Sequence, residues 1–277
     1  MRIFNTITLN RSLGCSIVGV VALTIAGCAE THENVQIEMT AEQLYTIALN
    51  TATSGDIQEA PAQFDEVERQ HPYSKWATQS QLMSAWSLYQ GNNYEAAILA
   101  LDRFIELNPA HDDIDYAYYL KAMSYYEQIV DVERDAGMTV LAKQSFEALL
   151  KRFPNSEYSR DGQLKLDLTN SHLAGKQMAV GRFYMQREHY DSALRRFSNV
   201  IETYQTSNQV PEALYRMVES YLALGLDTEA ERTGAVLKFN FPESIWTKRM
   251  VRLIGDPETD HEPGLFKSLY ERATEIF

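Results

Sequence analysis

The sequence predicts an all-α protein built as a superhelix of about five helix pairs. Three observations lead to this prediction. One short pattern of small, large and proline residues recurs along the chain. Residues that favour helices are plentiful, whereas the 13 glycines and 8 prolines fall mostly where helices would stop. Hydrophobic residues make up 45% and charged residues 23% of the chain, which is typical of a globular protein with its own core.

The recurring pattern is a small residue, a large apolar residue four positions later, and a proline twelve positions later. Three copies are complete and two are partial: Ala60, Phe64 and Pro72; Ala97, Leu101 and Pro109; Ala142, Phe146 and Pro154; Ala193 and Phe197 with Gln205; and Ala230 and Pro242 with Gly234. This is the tetratricopeptide pattern, in which units of about 34 residues each form two helices. Each unit buries its apolar face against the next, so we expect a superhelix with a concave face.

Uneven spacing between the repeats predicts two insertions and a division of the chain. One insertion lies around residues 131–139, and the other lengthens residues 158–172 into a long helix. We therefore predict repeats one to three in residues 41–157, the long connecting helix with repeats four and five in residues 158–246, and a C-terminal tail in residues 247–277. An apolar-periodic stretch at 264–277 indicates a final short helix.

The first residues predict a lipoprotein signal. Arg2 and Arg11 precede an apolar stretch, residues 13–27, that ends in small residues directly before Cys28. This layout is typical of a signal peptide, here residues 1–27, with Cys28 acylated and residues 28–40 as a tether. Ala29, in place of aspartate, assigns such a lipoprotein to the outer membrane, facing the periplasm. The alternative is an ordinary signal peptide with an incidental cysteine.

No motif for catalysis, cofactor binding or metal binding occurs, so we predict that the protein is not an enzyme and needs no cofactor. Asp112 and Asp113 follow His111 in a run that resembles metal ligands, but one of these acids more simply caps a helix. A net charge of −13, with no Lys/Arg cluster, argues against nucleic acid as a partner. A lipoprotein hydrolase with residues converging from distant repeats would need clustered titratable groups, which the motifs do not indicate.

An aromatic groove is predicted on the concave face. Counting along the first helix of each repeat places six aromatic residues there: Tyr45, Trp86, Tyr89, Tyr116, Tyr119 and Tyr126. The same count adds Leu82, Met123, Met178, Arg182, Met185, Tyr215 and Leu222. Rigid aromatic surface with hydroxyl groups suits an extended peptide with alternate aromatic side chains. The alternative is that these tyrosines pack against neighbouring helices.

Several local strings resemble the BamD family, the tetratricopeptide lipoproteins of the outer-membrane β-barrel assembly machine. They are Asp102-Arg103-Phe104-Ile105, Ile114-Asp115-Tyr116, Asp131-Val132-Glu133-Arg134-Asp135, Phe153-Pro154-Asn155-Ser156-Glu157-Tyr158, Ala179-Val180-Gly181-Arg182-Phe183-Tyr184 and Arg196-Phe197. The resemblance covers about residues 40–246.

This resemblance implies a scaffold that docks on the POTRA domains of a BamA-like barrel subunit, beside other accessory lipoproteins. It also implies help in receiving unfolded outer-membrane proteins through a C-terminal signal that ends in an aromatic residue. The family's C-terminal half makes the POTRA contact, which points to Arg196 as the docking residue. The alternative is a tetratricopeptide lipoprotein scaffold for peptidoglycan or polysaccharide machinery.

Overall fold

A computed structural model describes residues 38–131 and 135–255 and confirms the all-α tetratricopeptide fold. In these two stretches the backbone forms eleven helices and no strand. The helices are α1 (Ala41–Ser54), α2 (Ala60–Gln70), α3 (Lys75–Gln90), α4 (Tyr94–Leu107), α5 (Ile114–Tyr126), α6 (Gly137–Arg152), α7 (Ser159–Gln186), α8 (Tyr190–Thr203), α9 (Val210–Ala223), α10 (Asp227–Asn240) and α11 (Ile245–Ile254).

Local sequence sets the ends of these helices. Thr40 and Gln43 form a reciprocal capping box at the start of α1, and Gly55 ends that helix with a left-handed φ of 108°. The predicted cap on α5 is only partly right. Asp113 occupies the N-cap position but its carboxylate makes no capping bond; instead its backbone N–H donates to His111 Nδ1 at 3.1 Å.

The recurring pattern lies at the centre of the packing. Every helix packs against the next one in the chain, and α1 also contacts α3, α3 contacts α5, and α9 contacts α11. The five pattern alanines are fully buried, and so are the four large residues that follow them: Phe64, Leu101, Phe146 and Phe197. At Gly234, an added Cβ would lie 2.9 Å from Ile254 Cδ1, so the close approach of α11 explains the glycine in the fifth repeat.

Both predicted insertions have a structural counterpart. The connection between α5 and α6 is long, although residues 132–134 within it are not among those described. The second insertion forms one continuous helix with the first helix of repeat four, which gives α7 its 28 residues. The first part of α7 packs against α6 and the later part against α8.

The predicted start of the C-terminal tail is wrong. The boundary at residue 246 falls inside α11, whose Thr247 and Met250 are buried against α9 and α10. Helical packing continues because Met250 and Ile254 fill the space that Gly234 leaves open. The predicted signal peptide, Cys28, and the helix at 264–277 lie outside the described residues. None of the described helices is both long and apolar enough to span a bilayer.

Candidate functional site

Three of the predicted groove residues lie together where α3, α5 and the start of α7 meet. Tyr116 and Tyr119, on α5, each place their ring centroid 5.1 Å from that of Tyr158, which directly precedes α7. The rings of Tyr119 and Tyr158 are stacked, with an interplanar angle of 24°. Tyr89 on α3 lies close enough to influence the titration of Tyr119. We call these four half-buried residues, Tyr89, Tyr116, Tyr119 and Tyr158, the tyrosine cluster.

Carboxylates approach the hydroxyl groups of the tyrosine cluster. The Tyr119 hydroxyl donates a hydrogen bond of 2.7 Å to Asp161 Oδ2 on α7. Burial, with the neighbouring Glu127, raises the pKa of Tyr89 to about 12. Burial and Asp161 raise the pKa of Tyr119, and burial and Glu157 raise the pKa of Tyr158. The tyrosines of the cluster are therefore neutral phenols at neutral pH.

The other three predicted groove residues do not join this cluster. Tyr45 packs on Phe64 and on Trp76, with a centroid distance of 4.8 Å to the latter. Trp86 is half-buried between the cores of the first two repeats. Tyr126 lies against Phe146 and beneath Lys165, whose Nζ is 4.6 Å from the ring centroid. The sequence analysis did not single out Trp76 or Tyr158.

Four further residues placed in the groove by counting are core residues, so that part of the prediction is wrong; one of them is Tyr215, which is 9% exposed in the core of the C-terminal half. Leu82, Met123 and Met178 are exposed by only 2%, 7% and 0%. Leu82 packs among residues of α4 and α5, Met123 among those of α6 and α7, and Met178 among those of α8 and α9. The helices of the following repeat cover these positions, which a count along a single helix does not reveal.

Arg196 lies exposed on α8. Its Nη1 is 3.4 Å from Gln177 Oε1 on α7, a long hydrogen bond that leaves most of the guanidinium in solvent. Arg195, the adjacent residue on the same helix, is also exposed. The side chain proposed for docking is thus available at the surface of the C-terminal half.

The end of the array carries a basic face that the sequence analysis missed. Lys248, Arg249 and Arg252 are exposed on α11, and the helix contains no acidic residue. Arg249 also lies over the Trp246 ring, 4.7 Å from its centroid. The expectation that no Lys/Arg cluster interrupts the acidity of the chain is therefore wrong here. Lys248 and Arg249 are adjacent in the sequence, and helical spacing brings Arg252, three and four positions later, onto the same side of α11.

Ion pairs join α7 to α9 beside that face. Glu212 on α9 forms ion pairs with Arg182 of α7 at 3.2 Å and with Arg216 of its own helix at 3.4 Å. Arg216 also forms an ion pair with Glu219 at 2.8 Å. The Arg216 guanidinium lies 5.5 Å from the Trp246 ring centroid on α11. These groups are partly exposed, so they orient the three helices more than they stabilise them.

No group of three or more His, Cys, Asp or Glu side chains in the described stretches is arranged to hold a metal ion. His111 Nδ1 and Asp113 Oδ2 lie 3.8 Å apart, beyond hydrogen-bond distance. These residues serve the local turn, since His111 Nδ1 accepts the backbone N–H of Asp113.

The successive packed helices and the buried repeat pattern define a tetratricopeptide-repeat protein. Residues 37–237 match the family model YfiO, described as an outer membrane lipoprotein. The chain is 46% identical over 239 residues to "Outer membrane protein assembly factor BamD" of Caulobacter vibrioides, covering 85% of this chain and 78% of that protein. It is 42% identical over 235 residues to the protein of that name from Rickettsia prowazekii, covering 85% and 94%. The chain belongs to the BamD family.

A solved tetratricopeptide protein from Thermus thermophilus aligns with 77% of this chain and 98% of its own, at 15% identity and a TM-score of 0.36. The fold assignment rests on the helices and the buried repeat pattern described above.

Proposed function

We propose that this protein is a non-catalytic scaffold subunit of the machinery that assembles outer-membrane proteins. Membership of the BamD family carries the proposal, since relatives at up to 46% identity are named outer membrane protein assembly factors. A helical-repeat array with two distinct exposed features suits a subunit that contacts more than one partner.

The proposed location is the periplasmic face of the outer membrane, with an acylated Cys28 as the anchor. The family description as an outer membrane lipoprotein supports this location. Each methylene of an acyl chain contributes about 0.8 kcal/mol when buried in a bilayer, so a multiply acylated cysteine stays in the membrane. Cys28→Ser is expected to move the protein into the soluble periplasmic fraction.

The two surfaces are assigned different partners. Arg196 docks on a POTRA domain of a BamA-like barrel subunit through a charge-assisted contact to an acidic residue. The tyrosine cluster, with Tyr45, Trp86 and Tyr126 along the same set of first helices, receives extended segments of unfolded outer-membrane proteins. Exposure of Arg196 and the half-buried state of the aromatic residues support these two assignments.

Charge reversal tests the docking surface. Arg196→Glu is expected to lower co-purification with the barrel subunit at least about tenfold, because losing one partner of a charge pair and adding a like charge costs more than about 1.4 kcal/mol. The matched control is Arg195→Glu, which makes the same change on the next residue of the helix and is expected to retain the partner. Circular dichroism of both variants checks that the helices are intact. Equal retention by both variants would remove Arg196 from the interface.

The identity of the partners is tested by affinity purification from native membranes in mild detergent, followed by mass spectrometry. A POTRA-containing barrel protein in near-equal amount is the expected result. Recovery of cell-wall enzymes or polysaccharide exporters instead would overturn the proposal in favour of a scaffold for those systems.

A further inference from the structure

The tyrosine cluster combines aromatic surface with negative charge, which restricts what it binds. Resting on the proposed function, we infer that this cluster recognises a lysine or arginine side chain that lies next to an aromatic or apolar residue in the incoming polypeptide. The site therefore discriminates against segments that bring a carboxylate to the same place, including a free C-terminal carboxylate.

Negative charge at the site comes from α5, from α7 and from the residues beside them. Asp161 on α7 accepts the Tyr119 hydroxyl at 2.7 Å, and Asp115 Oδ1 on α5 accepts the backbone N–H of Tyr116 at 2.8 Å. Glu127, directly after α5, faces Tyr89, and Glu157 faces Tyr158. Both glutamates are exposed. A cation that lies against the outer edge of the cluster thus meets carboxylates on more than one side.

These carboxylates are not neutralised within the described part of the chain. Asp115, Glu127, Glu157 and Asp161 form no ion pair with a lysine or arginine there. The lysine of α5 and the first lysine of α7 are engaged elsewhere: Lys121 pairs with Asp102, and Lys165 lies over the Tyr126 ring. These carboxylates are therefore available to a cationic ligand.

The aromatic rings of the tyrosine cluster favour a cation as the ligand of this site. The faces of the tyrosine rings attract ammonium and guanidinium groups, and this attraction strengthens where water is partly excluded. Here the rings are half-buried, and two of them stack 5.1 Å apart. A basic side chain also has an apolar stem that packs along the rings while its charged end reaches a carboxylate. A carboxylate at the same position would meet like charge in a chain whose net charge is already −13.

Peptide binding to the full-length protein tests this inference. The probes are fluorescent, C-terminally amidated peptides of alternating aromatic and polar residues, identical except for lysine, glutamine or glutamate beside one aromatic residue. Fluorescence anisotropy is expected to show the lysine peptide binding about tenfold more tightly than the glutamate peptide at low salt, because cation–carboxylate attraction replaces like-charge repulsion. The difference is expected to shrink at about 1 M salt, where the Debye length is about 3 Å.

A matched pair of triple variants assigns the preference to the site. Neutralisation with Glu127→Gln, Glu157→Gln and Asp161→Asn is expected to abolish the preference, so that the lysine and glutamate peptides bind alike. The control, Glu202→Gln, Glu231→Gln and Asp227→Asn, changes the net charge equally at exposed positions on α8 and α10, outside the cluster, and is expected to keep the preference.

The outcomes separate this inference from the function on which it rests. Equal binding of all three peptides, or a lysine preference that survives neutralisation of the cluster, overturns the inference and leaves the receptor role intact. Absence of binding by every peptide overturns both. Tighter binding of the same peptide with a free C-terminal carboxylate than with an amide also overturns the inference.

Discussion

Replacement of Gly181 by alanine tests the closest contact between α7 and α8. A Cβ at this position would lie 2.8 Å from Cζ of Phe197 and closer still to its Cε1. Phe197 is fully buried, and its ring is enclosed by core residues that include Ala193, Val200 and Met178. The ring has no space to retreat into, so the added methyl group forces the two helices apart or drives the ring from its rotamer.

Gly162→Ala on the same helix is the matched control. There the new Cβ would lie 3.1 Å from Cδ2 of Leu149, at the flexible end of a side chain. Both substitutions gain about 1 kcal/mol from the higher helix propensity of alanine. Overpacking costs about 1–3 kcal/mol in a dense core, and the short distance at Gly181 places it at the upper end. We expect Gly181→Ala to be about 1–2 kcal/mol less stable than the unmodified protein, and Gly162→Ala to be unchanged or up to about 1 kcal/mol more stable.

Urea denaturation followed by circular dichroism in the far ultraviolet measures both effects on one scale. In a Phe197→Leu background, Gly181→Ala is expected to lower the free energy of unfolding by less, since the smaller, more flexible leucine makes room for the methyl group. The double variant is compared with Phe197→Leu alone. Equal denaturation midpoints for the two Gly→Ala variants would refute the argument, because the variants share every effect except their surroundings.

Two predictions concern the tyrosine cluster. Tyr119→Phe is expected to lower the free energy of unfolding by about 1 kcal/mol, because it removes a hydrogen bond to a carboxylate that is partly exposed to water; Tyr73→Phe, at a fully exposed position, serves as the control in the same urea experiment. Unchanged stability of the Tyr119 variant would show that water replaces the bond at no cost. In a spectrophotometric titration of the phenolate absorbance, Tyr89 is expected to lose its proton only near a pKa of about 12, against 10.0 for an unperturbed tyrosine. Since the folded state holds this proton more tightly, the stabilisation is complete below about pH 10 and is lost as the pH rises towards about 12. Tyr89→Phe is expected to remove the phenolate titration step near pH 12. If this step persists in the variant, it belongs to another tyrosine.

The repeat pattern predicted the fold because it records helix contacts within each unit. An alanine and a large residue four positions later lie on one face of a helix, and both are fully buried in each of the first four repeats. The long helix α7 was predictable for a related reason. Residues 158–172 contain no proline, and a continuous helix is the simplest way to join them to the fourth repeat.

The composition of the tyrosine cluster was only partly predictable. Tyr116 and Tyr119 follow from helix position, but Tyr158 precedes α7 and meets them only because the insertion brings that helix against α5. The contact between Tyr119 and Asp161 joins residues far apart in sequence, and no periodicity within one helix predicts it. The extra helix α11 was not predicted. The sequence feature that indicates it is Gly234, a glycine where the other repeats have a large residue, and this feature can be interpreted only once the packing of Met250 is known.

Continuity of α7 has a mechanical consequence. This one helix carries both Asp161, which contacts the tyrosine cluster, and Gln177, which contacts Arg196. At a rise of about 1.5 Å per residue, these two positions lie about 24 Å apart along the helix. The described helix contains no proline at which it would kink. A polypeptide that touches both surfaces must therefore have at least about seven extended residues between its points of contact. A shorter polypeptide segment reaches only one of the two surfaces, so the length of α7 sets the minimum length of a segment that contacts both.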